Sequence, residues 1–130
     1  MLIKRFITIL FILSACTPLF SKDLELTTKI KGLEVKITLD KNPPILGDNK
    51  IEIEILDASG DMVTDANVLV NYYMPPMPRM APMNYKTKTE LKKNKYTAEM
   101  DFIMEGPWIL AIKISFKGDR MTARFNVDAR

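Results

Sequence analysis

Four methionines separated by prolines are the residues whose type and spacing most clearly suggest chemistry. Residues 74–83 read M-P-P-M-P-R-M-A-P-M, which places methionine at Met74, Met77, Met80 and Met83. The chain has nine methionines, and half of those after the start residue lie in this window. Thioether sulfur is a soft ligand that suits Cu(I) or Ag(I), whereas hard cations prefer oxygen. The segment is therefore a candidate site for a soft monovalent metal.

The spacing of these methionines limits how they could bind one ion. Proline-rich segments favour polyproline II, with about three residues per turn and a rise of ~3.1 Å per residue, so all four methionines would share one face. Neighbouring sulfurs would then start roughly 9 Å apart along the axis. We therefore expect the loop to turn, at Arg79 or Ala81, or to use a sulfur from elsewhere in the chain.

Two interpretations without metal are equally compatible with the spacing. Methionine is also an adaptable, polarizable hydrophobe. The methionine face would in one case cover an open end of the domain and pack on aromatic residues, for which Tyr72, Tyr73, Tyr85 and Trp108 are the candidates. In the other case it would be a flexible patch that docks a protein partner.

A second motif, Met104-Glu105-Gly106-Pro107-Trp108, has a structural and a functional interpretation. Gly106 and Pro107 are typical of a turn, after which Trp108 would pack in the core as the next strand begins. In the functional interpretation, Met104 supplies a further thioether and the ring of Trp108 faces the cation.

The composition argues against catalysis and against nucleic-acid binding. The chain has 19 basic and 16 acidic residues, and loss of Lys4 and Arg5 with a leader would make the charges nearly equal. Such a balance gives no basic excess for nucleic acid. The chain contains no histidine, which removes histidine acid–base chemistry, serine–histidine pairs and imidazole metal sites. We expect a protein that is not an enzyme.

The N-terminus has the pattern of an export signal. A basic segment, Met1–Arg5, precedes the apolar segment Phe6–Leu13, which is too short to span a bilayer. The following Leu-Ser-Ala-Cys sequence ends at Cys16, the only cysteine, and resembles a bacterial lipobox, in which the cysteine is lipidated. Cleavage after Ser21 is the alternative and would discard Cys16. We assign residues 1–21 to the leader and a short tether, and we expect an exported, periplasmic protein with a lipid anchor in the membrane.

The rest of the chain, residues 22–130, predicts one domain of short strands. Apolar and polar residues alternate at Leu33–Leu39 and Ile51–Ile55, as in half-buried strands. Turn signals separate such segments. The pattern predicts an all-β fold, an immunoglobulin-like antiparallel β-sandwich of seven or eight strands. The strands are expected at 24–30, 33–39, 51–55, 67–73, 85–91 (a weak edge strand), 96–103, 108–116 and 121–127.

Three segments in fixed order resemble the YtkA-like (FixH-like) family of exported domains. They are D-A-S-G-D-M-V-T-D-A-N-V at 57–68, the methionine–proline segment with its preceding tyrosine, and Y-T-A-E-M-D-F-I-M-E-G-P-W at 96–108. The resemblance covers roughly residues 33–127. It implies an immunoglobulin-like sandwich, and many such domains accompany periplasmic copper handling, metal efflux or oxidase assembly.

The resemblance also assigns residues to the family's motifs. Met74, Met77, Met80 and Met83 correspond to its methionine–proline loop, and Met104, Gly106 and Trp108 to its methionine–glycine–tryptophan turn. Unlike many exported copper-binding domains, this chain lacks histidine, which leaves Cu(I) or Ag(I) as the expected ions. The partner would be a periplasmic metal transporter, an efflux protein or an oxidase-assembly protein. The alternative is a metal-free interaction module whose methionine surface docks an envelope or efflux partner.

Overall fold

Alternating apolar and polar residues build nine strands in the computed structural model, which describes residues 23–130. The expected leader and Cys16 lie outside the described residues. The strands are β1 (Leu24–Ile30), β2 (Leu33–Leu39), β3 (Gly47–Leu56), β4 (Asn67–Tyr73), β5 (Asn84–Lys88), β6 (Glu90–Lys92), β7 (Lys95–Phe102), β8 (Gly106–Phe116) and β9 (Asp119–Ala129).

The strands form two antiparallel sheets. One has five strands in the order β1-β2-β3-β7-β6, and the other has four in the order β5-β4-β8-β9. Alternate residues of both sheets point inward, and Val35, Ile53 and Ile112 are among the core residues with no exposed surface. The predicted all-β sandwich is therefore confirmed.

The expected weak edge strand at 85–91 is instead two short strands in different sheets. β5 pairs with β4 in the four-stranded sheet, and β6 pairs with β7 in the five-stranded sheet. Thr89 joins them, and its hydroxyl donates to the Val68 carbonyl at 2.7 Å. Because the two-residue alternation is the same on both sides of Thr89, it gives no signal that the chain changes sheet.

Several connections meet at one end of the sandwich. Tyr73, the last residue of β4, pairs with Asn84 at the start of β5 and with Ile109 near the start of β8. Gly47, the first residue of β3, pairs with Phe102 at the end of β7. The segments 40–46, 74–83 and 103–105 therefore share this end, which we call the loop end.

Two tyrosine hydroxyls connect separate parts of the sandwich. The hydroxyl of Tyr72, in the four-stranded sheet, accepts a hydrogen bond from the Asp101 N–H of the other sheet at 3.3 Å. The hydroxyl of Tyr96 donates to the Val63 carbonyl and accepts from the Ala66 N–H, each at 3.0 Å. Burial is the main cause that raises the pKa of Tyr96 above its usual value of 10.0.

No helix within residues 23–130 has the length and apolar character needed to cross a membrane.

Candidate functional site

The methionine loop, residues 74–83, begins as a continuation of the β4–β5 hairpin. The last paired residues of these strands are Tyr73 and Asn84. One step further, the Met74 N–H donates to the Met83 carbonyl at 3.2 Å. The first and last methionines of the loop are therefore held opposite each other.

The loop reverses direction at Pro78 and Arg79. The Met80 N–H donates to the Met77 carbonyl at 3.3 Å, and Arg79 has a φ of 68°. Proline at the second position and a positive φ at the third are the features of a type II β-turn. Glycine is usual at that third position because a side chain opposes a positive φ. The expected turn at Arg79 is present.

These two contacts arrange the four methionines as cross-loop pairs, Met74 with Met83 and Met77 with Met80. A straight polyproline II segment would keep neighbouring sulfurs far apart, whereas the folded loop sets the backbones of opposite methionines side by side. All four line a pocket of about 250 Å³, together with Tyr73, Asn84, Ala81 and three prolines.

The four methionines differ in exposure. Met74 is buried, with 7% of its surface exposed, and Met80 is 38% exposed. Met77 and Met83 are half-buried and pack against the hydrophobic core. The loop thus has a side anchored in the core and an exposed tip.

The glycine of the second motif lies against the methionine loop. A Cβ placed on Gly106 would be 3.1 Å from the methyl carbon of Met74, and Gly106 has a φ of +123°. Met104 is two residues away, half-buried and packed on the same core. The methionine loop and the Met104–Trp108 turn therefore lie at the same end of the sandwich.

Trp108 supports this end from inside the core. The side chain has no exposed surface, and its Nε1–H donates to the Met104 carbonyl at 2.9 Å. Its ring centroid is 5.1 Å from Phe102, 6.0 Å from Tyr72 and 6.3 Å from Tyr85. This hydrogen bond holds the backbone of Met104 and does not involve its thioether.

Of the aromatic residues expected to pack against the methionines, Tyr73 lines the methionine pocket from outside the core, and Phe102 joins the rings around Trp108 without having been expected there. Tyr72 points into the core, so Tyr73, the next residue of β4, faces the outer side of its sheet. Phe102 was not considered, although the alternation of Tyr96, Ala98 and Met100 places it on the inner face of β7. The sequence pattern contained that signal.

The donor chemistry of the described residues points to sulfur. No group of three or more histidine, cysteine, aspartate or glutamate residues within 23–130 is arranged to hold a metal ion. The loop end instead offers the thioethers of Met74, Met77, Met80, Met83 and Met104. This set suits a soft monovalent ion and does not suit Zn(II), for which imidazole, thiolate or carboxylate ligands are needed.

Comparison with the sequence models of known families identifies the family of this chain. The sequence model of the family described as YtkA-like matches residues 27–113, which span β1 to most of β8. No curated protein and no solved structure matches the chain.

Proposed function

Because the chain belongs to the YtkA-like family, we propose that it is an exported, non-enzymatic domain that binds Cu(I) or Ag(I) through methionine. The closure of the methionine loop carries this proposal. It brings four thioethers to one pocket beside the turn that contains Met104. The pocket offers a soft ion the thioethers of the loop methionines, Met74, Met77, Met80 and Met83. Met104 is the candidate ligand from outside the loop.

The exposed tip of the loop favours exchange of the metal with a partner. Met80 is the most accessible of the four loop methionines, so a second protein can reach one side of the bound ion. We expect the partner to be a periplasmic metal transporter, an efflux protein or an oxidase-assembly protein. A lipid anchor at Cys16 would keep the domain beside such a membrane partner.

Titration with Cu(I) in competition with a chromophoric chelator tests the ligands. A variant with all four loop methionines changed to leucine keeps their volume and apolarity approximately, and it should no longer compete for the metal. Met62→Leu is the matched control, since Met62 is similarly exposed and lies at the other end of the sandwich. Unchanged competition by the fourfold variant would exclude the loop as the site.

The shape of the loop can be tested without removing any sulfur. Glycine accepts the positive φ of Arg79, whereas a β-branched residue strongly opposes it. Arg79→Gly should therefore keep Cu(I) binding, and Arg79→Val should weaken it. Both variants remove the same positive charge, so charge does not explain a difference between them. Equal affinity of the two variants would show that the turn does not assemble the site.

A metal-free docking module is the second candidate function, and the exposure at the loop end favours it. Met80 there is accompanied by Ile45, Leu46 and Ile103, which are 39%, 44% and 53% exposed. Such an apolar surface suits contact with another protein. If the native protein does not compete for Cu(I) or Ag(I), this function replaces metal binding.

A further inference from the structure

The outer face of the four-stranded sheet carries a group of positive charges. Val70 and Tyr72 of β4 point into the core, so Leu69, Asn71 and their cross-strand neighbours point outward. Leu69 pairs with a lysine on each side, Lys88 of β5 and Lys113 of β8. The basic face, as we call it, comprises Lys86, Lys88, Lys113, Arg120 and Arg124.

The cations of the basic face have no carboxylate partners within residues 23–130. The five ion pairs there use other cations, Lys36, Lys41, Lys92, Lys95 and Arg130. Asp128 is the acidic residue on the outer side of β9, and it lies 3.6 Å from Arg130. The positive charge of this face is therefore left uncompensated by the described fold.

The opposite face of the sandwich has the reverse charge. Acidic residues outnumber lysines on the outer side of the five-stranded sheet. Its acidic residues are Glu25, Glu34, Asp48, Glu52, Glu54, Glu90, Glu99 and Asp101, and its lysines are Lys29, Lys36, Lys50, Lys92 and Lys95. A nearly neutral domain thus presents one positive and one negative face, and an anionic partner is attracted only to the first.

An open groove of about 900 Å³ adjoins the basic face. Four residues of the face, Lys88, Lys113, Arg120 and Arg124, line the groove together with Lys31, and no carboxylate does. Threonine and serine hydroxyls, from Thr64, Ser115 and Thr122, add hydrogen-bond donors. The groove is therefore suited to phosphate-bearing groups.

The cations are spread too widely for one small anion. Arg120 and Arg124 are four residues apart on β9, or ~13 Å, and β5 lies three strand spacings, or ~14 Å, from β9. A planar array of anionic groups matches this spread, and a membrane surface supplies such an array.

The predicted anchor brings a membrane within reach of this face. Six residues lie between Cys16 and Asp23, so the two Cα atoms can be at most about 25 Å apart. The strand β9 is about 36 Å long. The tether is therefore shorter than the domain and keeps the domain close to the bilayer. We propose that the basic face lies on a bilayer that carries anionic headgroups. This step rests on the lipidation of Cys16 included in the proposed function, but it is independent of metal binding.

Lysine labelling of the full protein on lipid vesicles tests the orientation. The protein is reconstituted on phosphatidylcholine vesicles with or without phosphatidylglycerol, treated with an amine-acetylating reagent, and analysed by peptide mass spectrometry. Lys86, Lys88 and Lys113 should react several-fold more slowly on the anionic vesicles. Lys29, Lys36 and Lys50, on the opposite face, should not change. The protection should disappear in 1 M salt, where the screening length is about 3 Å.

Charge-reversal variants provide a matched comparison. Lys113→Glu with Arg124→Glu should abolish the protection of Lys88, whereas Lys36→Glu with Lys50→Glu makes the same charge change on the other face and should preserve it. Equal labelling on neutral and anionic vesicles would overturn the proposal. Protection by polyglutamate but not by vesicles would also overturn it and would assign the face to an acidic protein. Intact mass reports lipidation separately, so failure of the anchor is distinguishable from failure of the face.

Discussion

The methyl carbon of Met74 lies 3.1 Å from the position that a Cβ on Gly106 would occupy. Met74 begins the methionine loop and Gly106 begins β8, so this contact joins the two sequence motifs. Gly106 also has a φ of +123°, a region that is strained for other residues. Gly106 thus allows the positive φ at the start of β8, and its lack of a side chain leaves room for the Met74 methyl group.

Gly106→Ala should lower the free energy of unfolding. The strained φ alone costs on the order of 1–3 kcal/mol, and the new methyl also pushes Met74 out of its position. Urea unfolding of Gly106→Ala, Met74→Ala and the double variant measures the two effects. The penalty at Gly106 should be smaller when Met74 is already alanine, because only the backbone strain then remains. An equal penalty in both backgrounds would contradict the contact.

Met104→Leu should weaken Ag(I) binding while the fold remains stable. The substitution nearly conserves volume and should cost less than about 1.5 kcal/mol of unfolding free energy, but it removes the thioether nearest in sequence to Trp108. Because Trp108 is the only tryptophan and packs beneath this end, its fluorescence should change when Ag(I) binds. Titration followed by this emission gives the affinity. An unchanged affinity would show that Met104 is not a ligand, with Met62→Leu again as the control.

Tyr96 should make the protein sensitive to alkaline pH. Its folded-state pKa is raised above the unfolded value of 10.0, so the folded state holds the phenolic proton more tightly. Its contribution to stability is therefore complete below pH 10 and is lost as pH rises through the folded pKa. Tyr96→Phe should reduce stability at neutral pH, since it removes two hydrogen bonds, and should flatten the decline above pH 10. Unfolding midpoints measured from pH 8 to 11 provide the check, and an equally steep decline in both proteins would contradict it.

We predict that the protein is exported and that its mature form begins at an acylated Cys16. Intact-mass analysis of the native membrane fraction should give the mass of residues 16–130 plus the acyl groups. Several chains anchor stably, whereas one chain anchors only marginally. A soluble product that begins at Lys22 would exclude the lipoprotein assignment and keep export.

The sequence predicted features that depend on local alternation and missed those that depend on strand register. The alternation at Leu33–Leu39 and at Ile51, Ile53 and Ile55 was sufficient to predict the sandwich. The spacing of proline and methionine required the loop to reverse but did not fix the position of the turn. Arg79 and Ala81 were both expected positions, and the turn lies at Arg79.

Register also explains the parts that the sequence could not supply. The contact between Met74 and Gly106 joins the methionine loop to the start of β8, and the sequence neighbours of neither residue indicate it. The basic face likewise draws its five cations from β5, β8 and β9, where each one looks like an ordinary solvated residue. Only the pairing of β4 with β5 and β8, and of β8 with β9, shows that they form one surface.

The change of sheet at Thr89 determines where this fold is vulnerable to self-association. By passing from β5 to β6, the chain occupies the edges of both sheets on that flank with strands of five and three residues. Short, lysine-bearing edges are poor templates for intermolecular pairing. On the other flank the edges are β1 and the eleven-residue β9. Polymerisation by strand addition or exchange would therefore proceed through that flank. A proline introduced at an exposed position of β9 should block it, because proline has no N–H for strand pairing.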